Sequence, residues 1–170
     1  RSISTFVYAY QDRFRALPGD DVAANQHVNG GQNAATPAAT LGNARINGAW
    51  NSAINTDESF LFWQHVRLAN LATGPTAIAA ADFLPRNSEG GRVGITSDPL
   101  ITAAAPVGGP YPSSFYVCSQ GILGRFARQL DTTLDDGNTQ TGALRVIADN
   151  AVNVVEATNV TAAMDAQLFT

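Results

Sequence analysis

The sequence contains no lysine, a single cysteine and few charged residues, and each shortage excludes a kind of protein or site. All ten basic residues are arginines, spread singly along the chain, so the basic stripe of a nucleic-acid reader is missing and the isolated domain is not expected to bind nucleic acid. The lone Cys118 rules out an intrachain disulfide. No run of about 18 apolar residues is present that could span a membrane.

The composition is nevertheless that of a folded domain. Apolar residues make up 45% of the 170 residues and charged residues only 14%, with a net charge of −4. A hydrophobic core is therefore available, while the surface must consist largely of small and uncharged polar residues. The length predicts one domain over 1–170. We subdivide it into an N-terminal helix over 1–17, a helix-loop region over 20–90 and an antiparallel sheet region over 91–170.

Apolar residues in the first segment recur at the spacing of one helix face. The intervals are four, three, four and three residues, at Ile3, Val7, Tyr10, Phe14 and Leu17. Pro18 disfavours helical geometry at the residue before it, and Gly19 frees the backbone to turn, so the predicted helix stops there. Because no N-cap signal precedes the apolar face, we expect the helix to begin upstream of the sequence given.

The segment over 20–55 is rich in Asn, Ala, Gly and Thr and has little periodicity, which predicts a long irregular connection. We expect a short helical turn near Asp21–Gln26, and the large side chain of Trp50 indicates that the segment is ordered. Asp20 is expected to accept backbone N–H groups and to start the next turn. His27 is interpreted as a solvated loop residue.

The clearest internal element is the helix predicted from TDESFLFWQHVRLANLATGP. Thr56 is the expected N-cap, and the acidic pair that follows lies where the helix dipole favours negative charge. Gly74 followed by Pro75 supplies the stop. The many large apolar residues predict that this helix is mostly buried, and His65 within it is interpreted as a structural, hydrogen-bonded histidine.

Strand patterns begin after this helix. GGRVGITS and SFYVCS are typical of two paired strands, joined by a Pro/Gly-rich loop over 98–113. Cys118 lies in the second of them, where we expect a buried and inert thiol.

A short helix interrupts the strands. It is predicted from GILGRFARQLDTTLDDG, in which Ile122, Phe126 and Leu130 form an apolar row. GALRVI and AVNVVEA then indicate a hairpin around the Asp-Asn pair at 149–150, and residues 160–170 a further edge strand. The order of helices followed by antiparallel strands predicts an α+β fold.

One acidic cluster is a candidate metal site. The segment DTTLDDGN brings together Asp131, Asp135, Asp136 and Asn138, and a hard cation such as Ca²⁺ takes several oxygen ligands from such a turn. The spacing differs from that of an EF-hand loop and lacks the closing Glu. The alternative is that Asp131 caps or ends the helix while the next two aspartates shape a turn.

No motif in the sequence predicts catalysis. A nucleophile elbow, an H-E-x-x-H helix, a C-x-x-C pair and a Gly-rich phosphate loop are all absent. We therefore expect a protein that is not an enzyme and that has no cofactor apart from the candidate Ca²⁺.

Three separated stretches resemble a group of type IV pilin-like proteins. YQDRFRALPGDD resembles the end of that group's long N-terminal helix and the Leu-Pro-Gly-Asp turn after it. ESFLFWQHVRLANLATG resembles the second helix. QLDTTLDDGNTQTGALRV resembles a downstream segment, with Thr133 where Lys is common. The predicted strand pair lies between these stretches in the expected order.

The resemblance implies a fold and a role. Type IV pilins and type II secretion pseudopilins have a long N-terminal helix whose first half anchors the precursor in the bacterial inner membrane and later forms the filament core. The second half packs on a globular head with a small antiparallel sheet, and this chain resembles the head with that second half. The implied function is that of a structural subunit, major or minor, of a periplasmic or extracellular filament, acting by assembly and surface display.

The resemblance also implies partners. These are other pilin subunits and the inner-membrane assembly machinery, with the membrane reached only through an N-terminal segment outside this sequence. Many pilins close their C-terminal region with a disulfide, which the lone Cys118 forbids here. Some major pseudopilins instead have a Ca²⁺ site in that region, and the DTTLDDGN cluster is compatible with one.

Two other functions stay open. An adhesive or ligand- or DNA-binding minor pilin at a filament tip needs exposed loop aromatics or an arginine cluster. The aromatic candidates are Trp50, Tyr111 and Phe115, and the arginine candidates are Arg45, Arg86 and Arg92. A secreted hydrolase needs His27 or His65 within hydrogen-bonding reach of Ser and Asp in a pocket.

Overall fold

The computed structural model describes residues 2–102, 107, 114–152, 154 and 156–170. Within them the helices are α1 (Ile3–Phe14), α2 (Ala24–His27), α3 (Glu58–Leu68) and α4 (Gly124–Leu134), with a 3-10 helix at Ala162–Met164. The strands are β1 (Val93–Thr96), β2 (Tyr116–Ser119), β3 (Ile122–Leu123) and β4 (Leu168–Phe169). β1 pairs with β2, and β3 pairs antiparallel with β4, in agreement with the predicted α+β class. None of these helices has both the length and the apolar character needed to cross a bilayer.

The chain divides into two compact units. Unit 1 consists of Arg1–Pro85, Val93–Asp98 and Ser114–Val117, and unit 2 of Arg86–Arg92, Pro99–Ser113 and Cys118–Thr170. Helices α1, α2 and α3 and strand β1 belong to unit 1, whereas α4, β3 and β4 belong to unit 2. The single domain predicted over 1–170 stays a prediction.

Helix α1 is shorter than predicted and is capped at both ends. Ser2 is its N-cap, and the Ser2 hydroxyl accepts a hydrogen bond of 3.3 Å from the backbone N–H of Thr5. The helix ends at Phe14 because Arg15 adopts the left-handed conformation, with φ at 56°, and donates its N–H to the carbonyl of Gln11. The predicted helix over 1–17 is therefore too long at its C-terminal end, because the backbone turns at Arg15, before the Pro-Gly pair.

Helix α3 begins at Glu58, and Asp57 rather than the predicted Thr56 occupies its N-cap position. The Thr56 hydroxyl is instead 2.9 Å from that of Thr36. All residues from Glu58 to Arg67 are buried, which confirms the prediction that this helix lies in the core. A helix buried on every side must have neighbours on more than one face.

The C-terminus of α3 is set by an asparagine. Asn70 adopts φ of 60°, and the N–H groups of Asn70 and Leu71 return to the carbonyls of Arg67 and Val66, at 2.9 Å each. This is a Schellman motif, in which a left-handed residue satisfies the last helical carbonyls. The helix therefore ends before Gly74, and the prediction that Gly74 and Pro75 stop it was wrong.

The core of unit 1 is built from α1, α3 and β1. Its buried apolar side chains include Val7, Ile46, Phe62, Val66 and Ile95. Helix α1 packs on α3, and α3 packs on β1. The resemblance implies packing of the N-terminal helix on the small antiparallel sheet, and the main partner of α1 in unit 1 is instead α3. Trp50 is buried, and Gly94 in β1 lets it approach, because a Cβ there would lie 1.9 Å from the Trp50 carbonyl oxygen.

Strands β1 and β2 form the predicted pair. Cys118 in β2 is free and buried, as predicted, and burial raises the pKa of its thiol to about 12. Most of the Pro/Gly-rich loop predicted over 98–113, including Tyr111, lies outside the described residues.

Helix α4 lies where it was predicted but buries a different face. Its buried residues are Gly124, Ala127 and Asp131, whereas Phe126 and Leu130 are 40% and 45% exposed. Small residues allow the chain to approach α4 closely, since a Cβ on Gly124 would lie 2.4 Å from the carbonyl oxygen of the 3-10 helix's last residue. The predicted apolar row was therefore assigned to the wrong side of the helix.

The hairpin predicted from GALRVI and AVNVVEA does not form among the described residues. The turn is present, with Asn150 at φ of 59°. However, Ile147 exchanges backbone hydrogen bonds with Thr170, and Val154 forms a bridge with Ile101. The edge strand predicted over 160–170 is confirmed at Leu168–Phe169.

Val7→Ala should lower the free energy of unfolding by about 2 kcal/mol, because it removes buried carbon atoms and leaves a cavity in the core. Tyr8→Ala is the matched control: Tyr8 is the next residue and is 62% exposed, so its effect should stay within about 0.5 kcal/mol. Urea unfolding followed by tryptophan fluorescence measures both values. Equal losses for the two variants would contradict the packing of α1 on α3.

Candidate functional site

The three aspartates of DTTLDDGN lie close together at the C-terminal end of α4. Each of Asp131, Asp135 and Asp136 offers a carboxylate oxygen, and these oxygens lie within 4.8 Å of one another. Asp131 is in the last turn of α4 and Asp135 is its C-cap, with the Asp135 N–H donating to the Asp131 carbonyl at 2.8 Å. The spacing of the sequence therefore brings the predicted carboxylates to one place.

Asp131 is the unusual member of the cluster. It is fully buried, and neither of its carboxylate oxygens has a hydrogen-bond partner. Burial raises its pKa, and the charges of Asp136 and Asp135 raise it further. The backbone N–H of Gly137 lowers the pKa but does not reach hydrogen-bonding geometry with either oxygen. A buried carboxylate with no donor is costly, and either a proton or a cation would compensate it.

The other two carboxylates are held by the loop that follows. Asp135 accepts the N–H of Leu144 at 2.7 Å, and a Cβ on Gly142 would lie 2.2 Å from the same oxygen. Asp136 accepts the hydroxyl of Thr141 and the N–H of Asn138. These bonds agree with the alternative in which Asp135 and Asp136 shape a turn, but they leave Asp131 without a capping role.

The predicted fourth ligand, Asn138, is engaged differently. Its side-chain oxygen accepts the backbone N–H of Gln140 at 3.2 Å, and its own N–H donates to Asp136. Its side chain therefore serves the turn, and what the sequence did not reveal is that the Asp131 carboxylate is buried.

A second polar cluster joins α1 to the segment after it. The Tyr10 hydroxyl donates to the Asp21 carboxylate at 2.7 Å, and His27 Nδ1 is 2.7 Å from the same oxygen. Burial alone would raise the pKa of Asp21, but the bonds from His27, Tyr10 and the Ala23 N–H outweigh it and hold the pKa below the ordinary value. The ring of Phe14 stacks on His27, with centroids 5.3 Å apart.

The prediction for position 27 was wrong about the loop, because His27 lies in α2, but the residue is exposed to solvent as predicted. Its contact with Asp21 could have been anticipated from the predicted turn over 21–26, which brings these two residues to neighbouring positions. Its stacking on Phe14 is a tertiary contact that spacing alone does not reveal.

His65 is the structural histidine that was predicted. Its Nδ1 accepts the N–H of Gly19 at 2.9 Å, and its Nε2 is 2.7 Å from the carbonyl oxygen of Gln32. These partners assign the proton to Nε2. Burial lowers the pKa of His65, so the ring stays neutral. Both nitrogens are occupied by backbone groups, which leaves neither one for proton transfer to a substrate.

The features expected of an adhesive tip subunit are only partly present. Trp50 is 3% exposed and Phe115 packs against the core of unit 1, so neither is an exposed loop aromatic, and Tyr111 lies outside the described residues. In unit 2, Arg86 forms a backbone bridge with Arg92 and donates to the carbonyl of Gly90. In unit 1, Arg45 donates to the carbonyl of Ser97. These guanidinium groups that donate to backbone carbonyls serve to fix loops.

Comparison with models of known protein families, with curated proteins and with solved structures found no match to this chain.

Tyr10→Phe should lower the free energy of unfolding by about 1 kcal/mol at neutral pH, because it removes a buried hydrogen bond to a carboxylate. The folded-state pKa of Asp21 is lowered, so its stabilisation is present above the ordinary pKa of aspartate and is lost as the pH falls through the lowered value. The difference between the variant and the wild type should therefore shrink in acid. Tyr8→Phe, on the exposed face of α1, is the control and should show no difference at either pH.

Proposed function

We propose that the chain is a structural subunit, major or minor, of a type IV pilus or of a type II secretion pseudopilus. The observation that carries this proposal is that two of the stretches resembling pilins meet in space. The Gly19 N–H of YQDRFRALPGDD donates to His65 of ESFLFWQHVRLANLATG, and a Cβ on Gly19 would lie 2.4 Å from the carbonyl oxygen of Glu58. Motifs that are far apart in sequence thus form one joint.

The two faces of α1 support the same role. Val7 and Tyr10 are buried against the core, while Tyr8, Asp12 and Arg15 line a shallow concavity on the outer side. A helix held on one side and open on the other can pack against neighbouring copies. Repeated head-to-tail contacts of this kind generate an open filament.

The proposed partners and location follow from this role. The partners are other pilin subunits and the inner-membrane assembly machinery, with the membrane reached through a segment upstream of α1. The precursor would lie in the bacterial inner membrane, and the mature subunit in a periplasmic or extracellular filament. We propose no catalytic activity: both nitrogens of His65 are occupied by backbone groups, and His27 is bonded to Asp21 but to no serine among the described residues.

The full-length gene should encode about 25 further mature residues, mostly apolar, upstream of Arg1, after a short basic leader ending in Gly. Reading the upstream codons tests this directly. An antibody raised against the folded chain should also decorate surface or periplasmic filaments of the source cells in immunogold microscopy. A hydrophilic upstream segment, or labelling confined to the cytoplasm, would refute the filament proposal.

We also propose that Asp131, with Asp135 and Asp136, binds Ca²⁺. The specific observation in its favour is the fully buried Asp131 carboxylate, whose two oxygens have no partner. Ca²⁺ favours several oxygen ligands and would offset the repulsion among the three charges. Because protons compete with the cation for Asp131, whose pKa is raised, binding should weaken as the pH falls.

Calcium at millimolar concentration should raise the melting temperature of the wild type by several degrees relative to EGTA. Asp131→Asn should abolish this gain, and without calcium it should be at least as stable as the wild type, because it removes a buried repulsive charge. Asp12→Asn, whose side chain is 86% exposed, is the control and should keep the calcium response. Equal melting of the wild type in calcium and in EGTA, with no heat of binding by calorimetry, would show that the cluster is only a turn.

A further inference from the structure

Residues 42–48, which we name the anchored loop, have no regular structure, yet carboxyl groups from elsewhere in unit 1 accept four of their backbone N–H groups. The N–H groups of Gly42 and Ala44 donate to Asp20. Asp20 was predicted to accept backbone N–H groups. At the other end of the loop, the N–H of Asn47 donates to Glu58 at 2.7 Å, and the N–H of Gly48 donates to Asp98 at 2.8 Å. The loop is therefore held by three carboxyl groups.

Glu58 is the buried centre of this arrangement. It is fully buried in the first turn of α3, and its second oxygen, Oε1, has no hydrogen-bond partner. The charged groups that act on it are Asp20, Asp57 and Asp98, all of them acids. The nearest arginine along the anchored loop, Arg45, turns its guanidinium to the carbonyl of Ser97 instead.

The oxygens of the surrounding acids are already used. Asp57 accepts the hydroxyls of Ser52 and Thr36, and both oxygens of Asp98 are bonded to residues of the anchored loop. The acids therefore hold the anchored loop by hydrogen bonds, and Glu58 is the member with an oxygen, Oε1, that has no hydrogen-bond partner.

The protonation of Glu58 has a mechanical consequence for the anchored loop. A proton makes Glu58 neutral, so three acids surround a group that does not repel them. Loss of that proton places a fourth negative charge in a buried site, where burial and like charges both disfavour it. Burial first, and then Asp20, Asp98 and Asp57, raise the pKa of Glu58 to about 7, against the opposing effect of the Asn47 N–H. The change of charge thus falls near neutrality.

We propose that Glu58 is a proton-operated latch for the anchored loop, closed when its carboxyl group is protonated and loosened when the carboxylate forms beside Asp20, Asp57 and Asp98. Because the pKa of Glu58 is raised in the folded state, the stabilisation that its proton provides is complete in mild acid. It is lost as the pH rises through neutrality. This device shares no residue with the proposed calcium site, because all of its groups belong to unit 1 and the three aspartates of that site belong to unit 2.

Amide hydrogen exchange of residues 42–48, corrected for intrinsic rates, tests the latch between pH 5.5 and 8.5. In the wild type the protection of the Gly42, Ala44 and Gly48 amides, which donate to Asp20 and Asp98, should fall about tenfold or more over this range. Glu58→Gln keeps an acceptor for the Asn47 N–H but cannot ionise, so its protection should stay constant. Amides in the middle of α3 report global unfolding, so in the wild type they should also lose protection as the pH rises, whereas in Glu58→Gln they should stay constant.

Two further variants complete the test. Glu89→Gln removes an exposed acid and should behave as the wild type. Asp98→Asn removes one repelling charge, so its loss of protection should move to lower pH. Wild-type protection that is constant from pH 5.5 to 8.5, or a Glu58→Gln protein that loses protection as the wild type does, would overturn the proposal. If Glu58→Gln does not fold, an unshifted midpoint in Asp98→Asn would overturn it.

Discussion

The fit of Gly19 against the beginning of α3 is the constraint on which unit 1 depends. A side chain at this position would collide with the carbonyl of Glu58, and φ of 95° lies in the region that favours glycine. The close approach lets the Gly19 N–H reach His65 and places Asp21 beside Tyr10. One residue without a side chain thus fixes the path from α1 to the irregular segment and the position of both on α3.

The low charge content has a structural counterpart in the use made of the acids. Few carboxylates are paired with arginine; Asp165 with Arg128 is one such pair. Many instead accept backbone N–H groups, as Asp20 and Asp98 do in unit 1 and Asp135 does in unit 2. Such charge-assisted bonds order long loops without secondary structure. Among the described residues, the buried acids with unpartnered oxygens are Glu58 and Asp131, to which we assign a proton and a cation.

The sequence patterns predicted the features that depend on local chemistry. They missed those that depend on the close approach of two segments or on an unusual backbone conformation. The burial of α3, the pairing of β1 with β2 and the existence of α4 followed from strong apolar patterns. The end of α1 could not be predicted, because Arg15 carries no signal for the left-handed conformation. The buried face of α4 was missed because Gly124 and Ala127 contribute little to an apolar pattern, although their small size is what permits close packing. At the candidate metal site, spacing brought three aspartates together, whereas the lack of a donor for Asp131 depends on tertiary packing.

The attachment of α1 has a consequence for mechanical load. Its contacts with the rest of unit 1 are distributed along its length: Val7 lies in the core, Tyr10 bonds to Asp21, and the Arg13 guanidinium donates to the carbonyl of Ala69 at 3.3 Å. Tension along the helix axis would strain these contacts together, in shear, instead of peeling them away one after another. Rupture under such tension is governed by the rate of unfolding, and a joint loaded in parallel is suited to resist it.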